Sequence, residues 1–153
     1  MDDCQTDPGF SLDALASWLE LRIHEHEPWG GPAQLYGLTV EDAGALGRNA
    51  DGAARQRLLA CGQVYDLLDS PAAVMATMFD AIGLCCFGMA TRLDTGARSR
   101  CRTVVVATER DQRSVNRMEG QHPELMGVPR GPVADRLDRL FDVLRSTEAR
   151  PPT

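Results

Sequence analysis

The chain has 153 residues, 43% of them apolar and 25% charged, with a formal net charge of −6. That length suits one ordinary globular domain, able to bury a core without disulfide or metal staples. The acidic balance counts against a general nucleic-acid binder, because attraction to phosphate needs a basic excess.

All 16 basic residues are arginine, as in the product of a GC-rich coding sequence, so arginine content alone carries no functional weight. The opening MDDCQTDPGF lacks the basic and apolar regions of a secretory signal. The longest apolar run, residues 81–90, is about half of the roughly 20 residues a membrane helix needs. Five cysteines without paired Cys-x-x-Cys spacing fit a reducing, cytoplasmic setting. Residues 1–10 and 146–153 have the composition of flexible tails, and no linker between them divides the chain, so a single domain is expected.

In chain order, SLDALASWLELRIHEHE predicts a helix, with Ser11 as N-cap and Asp13 favourably placed against the helix dipole. Leu12, Leu15, Ala16, Leu19 and Ile23 recur at helical spacing and form one buried stripe. Pro28, Gly30, Gly31 and Pro32 break it, and LYGL then reads as a short strand. Thr39 with Asp42 resembles a capping box for a short helix ending near Gly47. Residues 51–69 are ambiguous: Leu58, Cys61, Tyr65 and Leu68 allow a helix, and Gly62 weakens it. Ser70 followed by Pro71 marks a helix start, and the helix should turn Val74, Met75 and Met78 toward the core.

Residues 83–93, 98–109 and 113–118 read as a three-stranded antiparallel meander with turns at DTGA and RDQR. A loop at 94–97 sets Met89 across from Arg102, Phe87 from Val104 and Cys85 from Val106. One face then carries Cys85, Phe87, Met89, Val104 and Val106, with Arg100 and Arg102 toward its open end. The other carries Leu84, Cys86, Ala90, Cys101, Val105 and Ala107. Both faces are largely apolar, so either helices cover both or one meets a second subunit. After Gly131-Pro132, the spacing of Val133, Leu137, Leu140, Phe141 and Leu144 predicts an amphipathic final helix, where Asp135 and Arg139 are placed to pair. The fold class is α+β, an antiparallel meander of three or more strands packed with N-terminal and C-terminal helices.

Chemistry-bearing patterns are few. Cys85 and Cys86 are neighbours on a strand and point to opposite faces, which suits buried thiols better than a redox pair or joint metal ligands. His24 and His26 diverge around a helix and cannot share an ion, and Glu20 with His24 shares a face but is too few ligands for a metal. No Gly-x-Ser-x-Gly elbow and no glycine-rich phosphate loop occurs. No catalytic residue, metal site or cofactor is therefore assigned. Arg98, Arg100 and Arg102 share one strand face, and Arg100 and Arg102 with Arg117, or with Arg113, are the candidate ligand-binding residues for a small anion.

WGGPAQLYGL, residues 29–38, has the form Trp-x-x-Pro-x-x-Leu-Tyr-x-Leu. It resembles a motif of small uncharacterised proteins of high-GC actinobacteria, in which it joins the first helix to a strand and an Arg/Val-rich meander follows. The resemblance implies that architecture and no activity. From the residues themselves, Trp29 and Tyr36 read as anchors burying the strand against a helix.

The leading expectation is a non-catalytic cytoplasmic domain that binds a protein partner or its own copy, with a homo-oligomer expected and no membrane contact. The alternative is an anion or small-molecule binding protein, an enzyme included, using the sheet arginines. A nucleic-acid accessory protein is disfavoured by net charge.

Overall fold

A computed structural model of the chain describes residues 11–26, 29–41, 54–91 and 93–149. Ser11 opens the first helix: its Oγ accepts from the Ala14 amide at 3.1 Å, the capping bond that leaves one fewer orphan donor at a helix start. The helix, α1, is Leu12–His26. Its predicted stripe is the buried one, with Leu15, Ala16, Leu19 and Ile23 packed into a core cluster and Leu12 half-buried beside them.

The chain then enters β1, Ala33–Val40. Thr39 therefore belongs to a strand and not to a helix start, while Asp42 and Gly47 lie outside the described residues. The ambiguous stretch resolves as β2, Ala54–Gly62, followed by α2, Val64–Leu68. The helical spacing of Leu58, Cys61, Tyr65 and Leu68 thus spans two different elements. Tertiary pairing overrides it, because the outer backbone groups of β1 need partners and β2 supplies them. Leu59 is the extra residue of a bulge where the register shifts opposite Leu35 and Tyr36. Gln63 caps α2, its Oε1 accepting from the Tyr65 and Asp66 amides at 3.0 and 3.3 Å.

Helix α3, Pro71–Ala76, starts after Ser70 as the proline signal predicts. Its orientation differs from expectation. Ala73 and Ala76 are its buried residues, and Val74, Met75 and Met78 face outward. The reason is on the sheet: the Phe79 ring lies directly over Gly37, where an added Cβ would come within 2.4 Å of it. Phe79 fills the space the methionines were expected to take, and the small alanines let α3 approach.

The meander follows as β3, Ala81–Thr91, β4, Arg98–Ala107, and β5, Gln112–Met118. A further short strand, β6, Glu124–Gly127, adds to β5. The observed register sets Cys85 opposite Val104, Phe87 opposite Arg102 and Met89 opposite Arg100. This differs from the expected pairing by two residues, because the ladder closes at Thr91 and Arg98 and the loop is correspondingly longer. An even slip returns every side chain to its assigned face. The last helix, α4, is Pro132–Ala149, reaching into the segment expected as a tail; the side chain of Leu144 lies outside the described part.

Among the described residues all ladders are antiparallel, in one six-stranded sheet of order β2-β1-β3-β4-β5-β6. The architecture is α+β, with helices over both apolar faces. On one face α1 packs over Tyr36, Leu38, Cys85, Val104, Val106 and Val115. Gly83 lets it close in, since a Cβ there would sit 2.6 Å from Leu19 Cδ2. On the other face, Leu67, Leu68, Ala73, Ala76, Leu137 and Phe141 from α2, α3 and α4 cover Leu35, Ile82, Leu84 and Val105. Gln112 ties α4 to the sheet, its Nε2 donating to the Ala134 carbonyl at 2.8 Å and to Asp138 Oδ1 at 2.9 Å.

Candidate functional site

The arginine strip lies beneath α1. Arg102 of β4 and Arg117 of β5 are ladder partners, so their side chains leave the sheet side by side on the α1 face. Both converge on Glu20. Arg117 donates from Nε to Oε2 at 2.7 Å and from Nη2 to Oε1 at 2.8 Å, a bidentate fork. Arg102 donates to Oε2 from Nε at 3.1 Å and also from Nη2. Glu20 and Arg102 are each 0% exposed. Burial alone would raise the Glu20 pKa; the hydrogen bonds and charges of Arg117 and Arg102 outweigh it and hold the carboxyl below its usual range.

The cluster continues outward. Arg102 Nη2 lies 2.7 Å from His24 Nδ1, a contact in which the ring nitrogen accepts, so His24 is neutral with its proton on Nε2. Burial, followed by the charges of Arg117 and Arg102, pushes the His24 pKa below 6.5. Trp29 stacks over the Arg102 guanidinium at 4.8 Å and meets His24 edge-on at 6.1 Å. Trp29 is thus an anchor, and its object is an arginine. Tyr36 is buried in the α1-face core, its hydroxyl donating to Gln34 Oε1 at 2.6 Å.

Two further arginines of the sheet, Arg113 and Arg100, also meet carboxylates. Arg113 reaches Asp13 of α1, Nε to Oδ1 3.5 Å, and also pairs with Asp111. Arg100, exposed toward the sheet end, is held by Glu119, Nε to Oε1 3.1 Å. Of the three candidate anion ligands, the fold brings Arg102 and Arg117 together on Glu20 and sets Arg100 apart on Glu119. Asp13 and Glu20, seven residues apart and so on one side of α1, dock that helix on the sheet arginines. Chemically, this is a buried ion-pair lock. Glu20, His24 and Trp29 were not assigned to it from sequence; the available signal was a carboxylate four residues after Ala16 and three before Ile23, inside an apolar stripe.

The thiols follow their environment. Burial pushes Cys85 up to about 12 and Cys86 up to about 11, so both stay protonated at neutral pH. Cys61 is exposed on β2. Among the described residues no group of three or more His, Cys, Asp or Glu side chains is placed to hold a metal ion, and no helix is long and apolar enough to cross a membrane.

Two surface features stand apart from the arginines. On α3 and the turn that ends it, Val74, Met75 and Met78 are 57%, 52% and 76% exposed. At the root of the β3–β4 hairpin a cleft of about 410 Å³ opens between the start of β1, the end of β2 and β3, lined by Pro32, Ala33, Gly62, Val64, Cys86 and Phe87 among others. No family model matches the chain, and no curated protein or solved structure matches it.

Proposed function

We propose that this chain is a non-catalytic protein-binding domain and that the outer face of α3 is its contact surface. The observation that carries the reading is the exposure of Val74 and Met75 on a helix that buries only alanines, and of Met78 in the turn that ends it. A helix serving packing alone would turn its larger apolar side chains inward, and a clustered apolar patch on a protein surface marks a contact site. Methionine suits the role, because its flexible thioether side chain adapts to the shape of a partner. The sheet arginines support the same reading from the other direction. Their guanidinium groups meet Glu20, Asp13 and Glu119, which leaves an open anion site the weaker alternative. The free thiols at Cys61, Cys85, Cys86 and Cys101 suit a reducing, cytoplasmic setting.

The test is a Met75→Glu/Met78→Glu double variant compared with wild type. Wild-type chain should capture a protein that binds again after purification, and the variant should bind it at least tenfold more weakly with an unchanged unfolding midpoint. Equal binding by the two chains would refute the reading.

A further inference from the structure

Strand β3 is longer than the neighbour on its outer side. Its ladder with β1 runs from Ala81 to Cys85 and stops there, whereas its ladder with β4 continues to Thr91. Residues 87–91 therefore present one edge on which, among the described residues, no strand is paired. Native sheets protect such edges with charge, proline or a covering element. This stretch, Phe-Gly-Met-Ala-Thr, has no charged residue and no proline. The sheet's terminal strand β2, by contrast, carries the exposed charges of Arg55 and Arg57.

Two further features sit at the ends of this edge. At the hairpin tip Leu93 is 102% exposed. At the root lies the cleft beside Ala33, Gly62, Cys86 and Phe87, which has no charged residue in its lining. Tip and root are separated by about seven residues of strand, roughly 23 Å at the usual rise. A single chain cannot bring its own knob to its own hole. A second copy, running antiparallel along the same edge, brings both together twice.

We propose that residues 87–91 of β3 pair with the same residues of a second copy about a two-fold axis, with Leu93 of each copy seated in the root cleft of the other. Symmetry restricts the register. An axis perpendicular to the sheet keeps each face on its own side, so a residue, not a peptide bond, must lie at the centre. Centring on Met89 sets Phe87 opposite Thr91 of the other copy and Gly88 opposite Ala90. It leaves the position beside Cys86 to Ala33, next to which the incoming tip turns away. Met89, 53% exposed, then meets its own copy across the axis. Gly88 has nothing within 4 Å of an added Cβ, so the approach is open. This surface is separate from α3, and the inference does not rest on the binding role proposed for that helix.

The experiment uses full-length chain with Cys61→Ser, so that the exposed thiol does not report. Met89→Cys should give a covalent dimer rapidly under copper-phenanthroline oxidation, through one disulfide across the axis. Leu58→Cys, exposed on β2, serves as the random-collision control and should link far more slowly. Leu93→Asp should weaken the dimer by roughly a hundredfold or more in dissociation constant, since each dimer loses two buried leucines, one from each cleft, with folding unaffected at so exposed a site. Cross-linking of Met89→Cys no faster than the control, or a mass unaffected by Leu93→Asp, overturns the inference. A dimer lost with Met75→Glu/Met78→Glu but kept with Leu93→Asp also overturns it, and places self-association on α3. A chain monomeric at every concentration overturns it while leaving the α3 surface to its own capture test.

Discussion

Replacing Glu20 by glutamine removes one charge from the buried cluster and almost nothing else. The amide keeps an acceptor oxygen and nearly the same volume, so packing under α1 is preserved. What changes is that Arg102 and Arg117, one fully buried and the other nearly so, lose the carboxylate on which both are forked. Breaking a buried pair by removing one partner costs about 3–5 kcal/mol, because the remaining charge stays desolvated. With the amide oxygen retained, the lower end applies, about 3 kcal/mol. For a domain of this size that is a fall in Tm of about 6–12 °C. Thermal and denaturant unfolding at pH 7, followed by circular dichroism, measure it. The acid dependence supplies an independent check. Glu20 titrates lower in the folded chain than the usual 4.5, so its contribution is present above the unfolded value and lost as pH falls through the folded one. The gap between wild type and Glu20→Gln should therefore narrow below pH 4.5. A loss under about 1 kcal/mol, the range of solvent-exposed pairs, would refute a buried lock and return the arginines to the list of open anion ligands.

The other predictions are local. His24 titrates below 6.5 when folded, so its unfolded form binds more protons just below that pH, and stability is lost as pH falls from 6.5 through the folded value; His24→Gln should flatten that part of a stability-versus-pH curve. Gly37→Ala pushes a methyl to within 2.4 Å of the Phe79 ring and should cost about 1–3 kcal/mol by overpacking, measurable as a lower denaturant midpoint. Iodoacetamide at pH 8, read by mass spectrometry, should label exposed Cys61 while leaving Cys85, whose thiol is pushed up to about 12, unlabelled until the chain unfolds.

Local signals carried much of the fold. The Ser11 cap, the Leu15–Leu19–Ile23 stripe, the Ser70-Pro71 start and the meander are written in short-range patterns of side-chain period and turn residues. The strand assignment of residues 54–62 is not, because it depends on what β1 needs as a neighbour. Nor is the outward turn of Met75 and Met78, which depends on Phe79 occupying the space over Gly37. The arginine strip was legible as a shared face, and its partner was not. Glu20 is 82 residues from Arg102 and 97 from Arg117 along the chain, and no local pattern joins them. A carboxylate within an apolar stripe announces that a buried cation exists without saying which one.

In the proposed reading, this domain acts through protein contact at its apolar surfaces and not through its arginines. Hydrogen exchange by mass spectrometry, on wild-type chain at dilute and at high concentration and with added phosphate, tests it most directly. Amides of residues 87–91 should gain protection at high concentration, because an edge paired with a second copy exchanges more slowly. Phosphate should leave peptides containing Arg102 and Arg117 unchanged. Exchange independent of concentration, with phosphate protecting the arginine strands, would contradict it.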